Sequence, residues 1–174
     1  MLGILMAVFG GVVAGQFHGA VGIAPVLAGL LCASCFLRPR AVGFVGIAAA
    51  LVYDLCVGLS SFTAVRLAAM LSVVGVVRLL RIRFSLPSLA MGIALASTAY
   101  HLSLAVGDWV TQTCSTQPHT MQGLLATIGS SLPYFQRAFF GEALCTVAFF
   151  GVYTFAGYAA TLRWPSLRSH PLEG

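Results

Sequence analysis

Charge is what this sequence most lacks. Of its 174 residues, only 7% are Asp, Glu, Lys or Arg, where a water-soluble domain carries roughly 25%. That shortage excludes an ordinary hydrated surface. Lysine is absent altogether, so all nine basic residues are Arg, and the acids number four: Asp54, Asp108, Glu142 and Glu173. Catalytic signatures are missing as well. There is no G-x-S-x-G elbow, no H-E-x-x-H pair and no phosphate-cradling glycine loop, and nothing identifies a nucleophile, so no enzyme activity and no cofactor are expected. The start of the chain has neither a basic n-region nor an A-x-A-like cleavage site, which reads as a retained first helix rather than a cleaved leader. Five cysteines are present, but four lie inside apolar runs, where a thiol packs as a small hydrophobe. Cys32-x-x-Cys35 has redox spacing without the strand–helix context that redox motifs need.

What is present in excess is apolar sequence, 59% of the chain, gathered into continuous runs: Leu2 to Phe17, Val21 to Leu37, Ala41 to Leu59, Thr63 to Leu80, Leu86 to Val106 and Arg137 to Leu162. A bilayer core of about 30 Å needs about 20 apolar residues per helix, and continuous rather than alternating hydrophobicity favours helices over barrel strands. The expected fold is an all-α membrane protein with six transmembrane helices: one domain over residues 1–163 and a short cytoplasmic tail, 164–174. The net charge of +5 does not signal nucleic acid, because the Arg sit at the ends of the apolar runs. With six crossings, Arg38, Arg40, Arg78, Arg81, Arg83, Arg163 and Arg168 share one side, which the positive-inside rule makes cytoplasmic. Both termini are then cytoplasmic. A long outer loop, Gly107 to Gln136, is expected between the fifth and sixth runs, carrying a short interfacial or re-entrant helix near Gly123 to Ser130.

Ionisable residues inside membrane segments are costly, so each is a functional candidate. Asp54, Arg66, His101, Asp108, Arg137 and Glu142 all fall toward the outer ends of their runs, and Trp109 and Tyr134 accompany them. Asp54 with Arg66, and Glu142 with His101 or Arg137, could also be structural pairs. Glu142 lies five residues after Arg137 and shares a helix face with it poorly, which favours a partner on another helix. His18, His101 and His119 show no fixed ligand spacing with the acids, so no metal site is expected. The first run carries Ala7, Gly11, Gly15 and Gly19 at four-residue spacing, a stripe of small residues that lets another helix approach closely.

Three stretches carry a resemblance: Pro118-His119-Thr120-Met121-Gln122-Gly123-Leu124, Leu132-Pro133-Tyr134-Phe135-Gln136-Arg137, and Gly141-Glu142-Ala143. Asp54-Leu55-Cys56-Val57-Gly58 and Pro25-Val26-x-Ala28 fit the same pattern. The chain resembles an uncharacterised bacterial inner-membrane family that is similar to the S components of energy-coupling-factor (ECF) vitamin transporters. The resemblance departs at Glu142, where that family usually has Asp, and at Gly22 and Ala105, near which it has Asn. It implies a subunit that binds a small vitamin-like solute from the outer face through Asp54, Arg66, His101, Asp108, Trp109, Tyr134, Arg137 and Glu142, with the 107–136 loop closing as a lid. It also implies docking through Ala7, Gly11 and Gly15 to a transmembrane T subunit that works with ATPases. The contrasting expectation, read from the charge pairs alone, is a non-transporting membrane scaffold.

Overall fold

A backbone placed in lipid has no water to hydrogen-bond, so apolar runs of this length satisfy their own N–H and C=O groups as helices. The structure, a computed structural model, describes residues 24–35, 37–80 and 85–163, apart from the side chains of 24, 25, 39, 156, 157 and 159–163. Among the described residues there are five helices and no strand: α1 (Ala24–Ser34), α2 (Pro39–Val57), α3 (Thr63–Leu80), α4 (Leu86–Thr111) and α5 (Met121–Arg163). The first apolar run, with Ala7, Gly11 and Gly15, lies outside the described residues, as do Arg81, Arg83 and the 164–174 tail.

Four helices are long and apolar enough to cross a bilayer, over Arg40–Val57, Thr63–Leu80, Leu86–Thr111 and Met121–Phe155. Their outward faces carry large apolar side chains, among them Phe44 (80% exposed), Leu79 (84%) and Leu144 (72%). Water would penalise so many exposed side chains, whereas hydrocarbon solvates them. The chain is a helical membrane protein.

Proline and charge set the helix starts. Arg38 precedes α2, and Pro39 opens it, where the missing N–H is no loss. α1 is the centre of the bundle. Val26, Leu27, Ala28, Leu30, Leu31, Cys32 and Ala33 are all buried, as expected of a helix that is apolar on every side, and α1 packs against α2, α4 and α5. The remaining helices pack in chain order, α2 on α3, α3 on α4 and α4 on α5. Their short connections make neighbours antiparallel. Arg38, Arg40 and Arg78 therefore sit at one end of the bundle, where the Arg78 guanidinium lies 3.0 Å from where a Cβ on Gly43 would be. The 58–62 and 112–120 connections share the other end.

The α3–α4 contact is close. A Cβ on Gly107 of α4 would collide with Cγ1 of Val65, so the absence of a side chain at 107 is what lets the two helices meet. Ser72 on α3 reinforces the seam, its hydroxyl reaching the Ala99 carbonyl at 3.3 Å and accepting from Ser103 Oγ at 3.0 Å.

One expectation is overturned here. Residues 107–136 are not a long loop. α4 continues to Thr111, the connection runs only from Gln112 to Thr120, and α5 is a single 43-residue helix from Met121. The short helix expected near Gly123 to Ser130 is the first part of α5, continuous with the sixth apolar run. Pro133 lies inside it without ending it, although it cannot donate to the Gly129 carbonyl. At about 1.5 Å per residue α5 is about 65 Å long, roughly twice the hydrocarbon thickness.

Candidate functional site

The end of the bundle that carries the 112–120 connection is built by hydrogen bonds. Asp108, in the last turn of α4, accepts at Oδ1 from the backbone N–H groups of Cys114 (2.7 Å) and Ser115 (3.2 Å). Its carbonyl accepts from the N–H of Gln112 at 2.7 Å, and Gln112 takes the left-handed conformation that turns the chain. Trp109 Nε1 donates to the Pro118 carbonyl at 3.0 Å, and Gln112 Nε2 donates to the Gln117 carbonyl at 3.0 Å. Thr120 caps α5, accepting from the Gly123 N–H at 3.1 Å. Gly123 sits directly beneath the Pro118 carbonyl, with no room for a Cβ. The connection over the site is therefore the hydrogen-bonded segment 112–120, not the 107–136 loop expected from the sequence.

Beneath this connection lies a cavity of about 500 Å³, lined by Phe62 from the α2–α3 connection, His101, Leu104, Ala105 and Asp108 from α4, residues 114–117, and Thr127, Ser130, Ser131 and Tyr134 from α5. Its volume is in the range of small-molecule sites. The wall is unusually rich in hydroxyls for a membrane bundle. Thr127 is buried and donates to the Gly123 carbonyl at 2.9 Å, and it shares a 3.1 Å hydrogen bond with Ser115.

The structure sorts the sequence candidates. His101, Asp108 and Tyr134 line the cavity. Glu142, 1% exposed, stands behind His101 with Oε1 3.4 Å from Nε2. The His101 ring also makes edge contacts with Tyr100 and Phe135, at 5.3 and 5.5 Å between centroids. Asp54, fully buried, has Oδ1 2.6 Å from Arg66 Nη1. That contact is electrostatic, since neither Asp54 oxygen has an aligned hydrogen bond. The Arg66 guanidinium lies over Tyr53 (5.3 Å) and Phe62 (5.9 Å), so this pair backs the cavity wall without lining it. Trp109 leans on His119, 5.3 Å between ring centroids, and secures the connection. Arg137 is exposed on α5, outside the cavity lining.

Sequence reasoning missed Thr127, Ser130, Ser131, Ser115 and Gln117. A signal was there: Thr127, Ser130, Ser131 and Tyr134 follow the i, i+3, i+4, i+7 spacing of one helix face. Placing them in a loop hid the periodicity.

Fold and site together define a helical membrane protein with a polar cavity at the end of the bundle opposite Arg38, Arg40 and Arg78. The chain belongs to a family of unknown function (DUF6580), whose model matches residues 1–167. No curated protein and no solved structure matches it.

Proposed function

We propose that the chain is a membrane subunit that binds a small polar solute in the cavity under the 112–120 connection, in the manner of an ECF S component. The observation that carries this reading is the cavity itself: about 500 Å³, lined by hydroxyls, an amide, an imidazole and a carboxylate, in a chain of which only 7% is charged. Polar groups in a membrane bundle are costly unless they serve a purpose. In this reading His101, Asp108 and Tyr134 contact the solute, while Asp54, Arg66 and Glu142 hold the walls. Trp109 fixes the cover, and Arg137 lies beyond it. The chain binds its solute and does not transform it. The Arg at the opposite end face the cytoplasm of a bacterial inner membrane, so the cavity opens outward, and Ala7, Gly11 and Gly15 dock a T subunit powered by ATPases.

The test is thermal unfolding of the purified chain in lipid nanodiscs against a panel of water-soluble vitamins, their precursors and other small polar metabolites. Stabilisation by a member of the panel, weakened by His101→Ala, is expected. A flat response across the panel refutes the reading. The scaffold reading draws on a specific observation too: Asp54 pairs with Arg66, and Glu142 lies against His101, inside the bundle. It requires the cavity to be dispensable, so filling it with Ser131→Phe would then leave the assembly of partner proteins unchanged.

A further inference from the structure

Resting on that reading, we propose that the solute is a small organic cation, with a protonated amine held by Asp108 and an apolar or ring portion against Phe62 and Tyr134. The argument starts from charge. The chain has nine Arg and four acids, yet the cavity lining contains a carboxylate and no Arg. Of the Arg nearest the wall, Arg66 is neutralised at 2.6 Å by Asp54 and lies behind the Phe62 ring. A second carboxylate, Glu142, stands immediately behind His101. In a medium of low dielectric, one carboxylate lining the cavity, a second behind its wall and no Arg in the lining favour a positive occupant.

Four backbone donors that an anion could have used around the connection are already engaged. The N–H groups of Cys114 and Ser115 donate to Asp108, that of Gln117 to Ser115 Oγ at 3.3 Å, and that of Gly123 at the start of α5 to Thr120 Oγ1. At the helix terminus that could have cradled a phosphate or carboxylate, the Gly123 N–H is taken by the Thr120 cap. Acceptors remain: both bonds to Asp108 fall on Oδ1, and Oδ2 makes none among the described residues. Phe62 and Tyr134 supply ring faces, which attract a cation as well as an apolar body.

The experiment uses the full chain in nanodiscs and three probes of one skeleton: benzylammonium, benzyl alcohol and benzoate. Benzylammonium binds the most tightly, and Asp108→Asn weakens it by about tenfold while changing benzyl alcohol by less than about twofold, the scale of one charge-assisted hydrogen bond. The Asn keeps an Oδ1 to accept from Cys114 and Ser115, so the unliganded melting temperature is preserved. Tyr134→Leu, at an exposed position, provides a second variant that spares folding and also weakens benzylammonium more than the alcohol. Preferential binding of benzoate or benzyl alcohol, or benzylammonium binding indifferent to both substitutions, overturns the cation assignment and leaves solute binding standing. If none of the three probes binds and the metabolite panel is flat as well, solute binding itself falls.

Discussion

Gly107→Ala tests the tight contact between α3 and α4. The added Cβ would meet Val65 Cγ1 at a separation no real contact adopts. Val65 is 7% exposed and β-branched, and a β-branched side chain in a helix has essentially one rotamer, so it cannot swing aside. The cost must be met by moving α3 away from α4. Overpacking of this kind costs about 1–3 kcal/mol. Against it stands the helix-propensity gain of Gly→Ala, about 0.5–1 kcal/mol. The gain is isolated by Gly75→Ala on α3, where nothing lies within 4 Å of the new Cβ. The two variants should therefore differ by about 1–3 kcal/mol, with Gly75→Ala neutral or stabilising, which corresponds to about 2–4 °C per kcal/mol in a chain of this size. Thermal unfolding in nanodiscs reads the difference. Val65→Ala combined with Gly107→Ala should recover most of the loss, a coupling that a double-mutant cycle measures. If Gly107→Ala melts with Gly75→Ala, or if Val65→Ala does not rescue it, α3 and α4 do not meet at this point and the reasoning fails.

Three further outcomes follow from the pairs and the cover. Asp54→Leu or Arg66→Leu alone should destabilise by about 3–5 kcal/mol, because each leaves a buried charge without its partner, while the double substitution to Leu should lose much less. Equal losses in the single and double variants would show that the pair is not coupled. A membrane-impermeant maleimide should label the exposed Cys114 rapidly and leave the buried Cys32 unreacted until the protein unfolds, as mass spectrometry of the labelled peptides would show. Thr120→Ala removes the cap of α5 and should cost about 1 kcal/mol, with faster hydrogen exchange in residues 121–124 and unchanged exchange in α2. Protection that stays the same there would mean α5 does not begin at Met121.

The sequence was legible wherever one physical cause dominated. Arg38-Pro39-Arg40 marked a helix boundary because charge and proline both oppose continuation across that point, and α2 begins there. Asp54 and Arg66 stood out because ionisable groups are so scarce, and the structure joins them. For Glu142, helix geometry alone argued against Arg137, five residues earlier, and its partner is His101, 3.4 Å away on α4. Legibility failed at residues 107–136. Pro133 and the moderate polarity of 121–135 looked like a break, yet a proline within a membrane helix is tolerated when neighbouring groups meet the freed carbonyl. That one misreading concealed the hydroxyl face of α5 and with it one side of the cavity wall.

What the sequence determined by itself was the solvent and the secondary structure. Too few charges to face water, and apolar runs long enough to cross lipid, require helices in a membrane, since no other open backbone arrangement satisfies its own hydrogen bonds there. What only the tertiary structure decided was which of the few polar groups neutralise each other and which remain available. Pairing depends on side chains from different helices meeting within a few ångströms. That meeting is set by contacts such as Gly107 against Val65 and Gly123 beneath Pro118, whose closeness no residue's identity announces on its own. Asp54 and Arg66 are thereby consumed in a pair, Glu142 is held behind His101, and His101, Asp108 and Tyr134 are left facing the cavity.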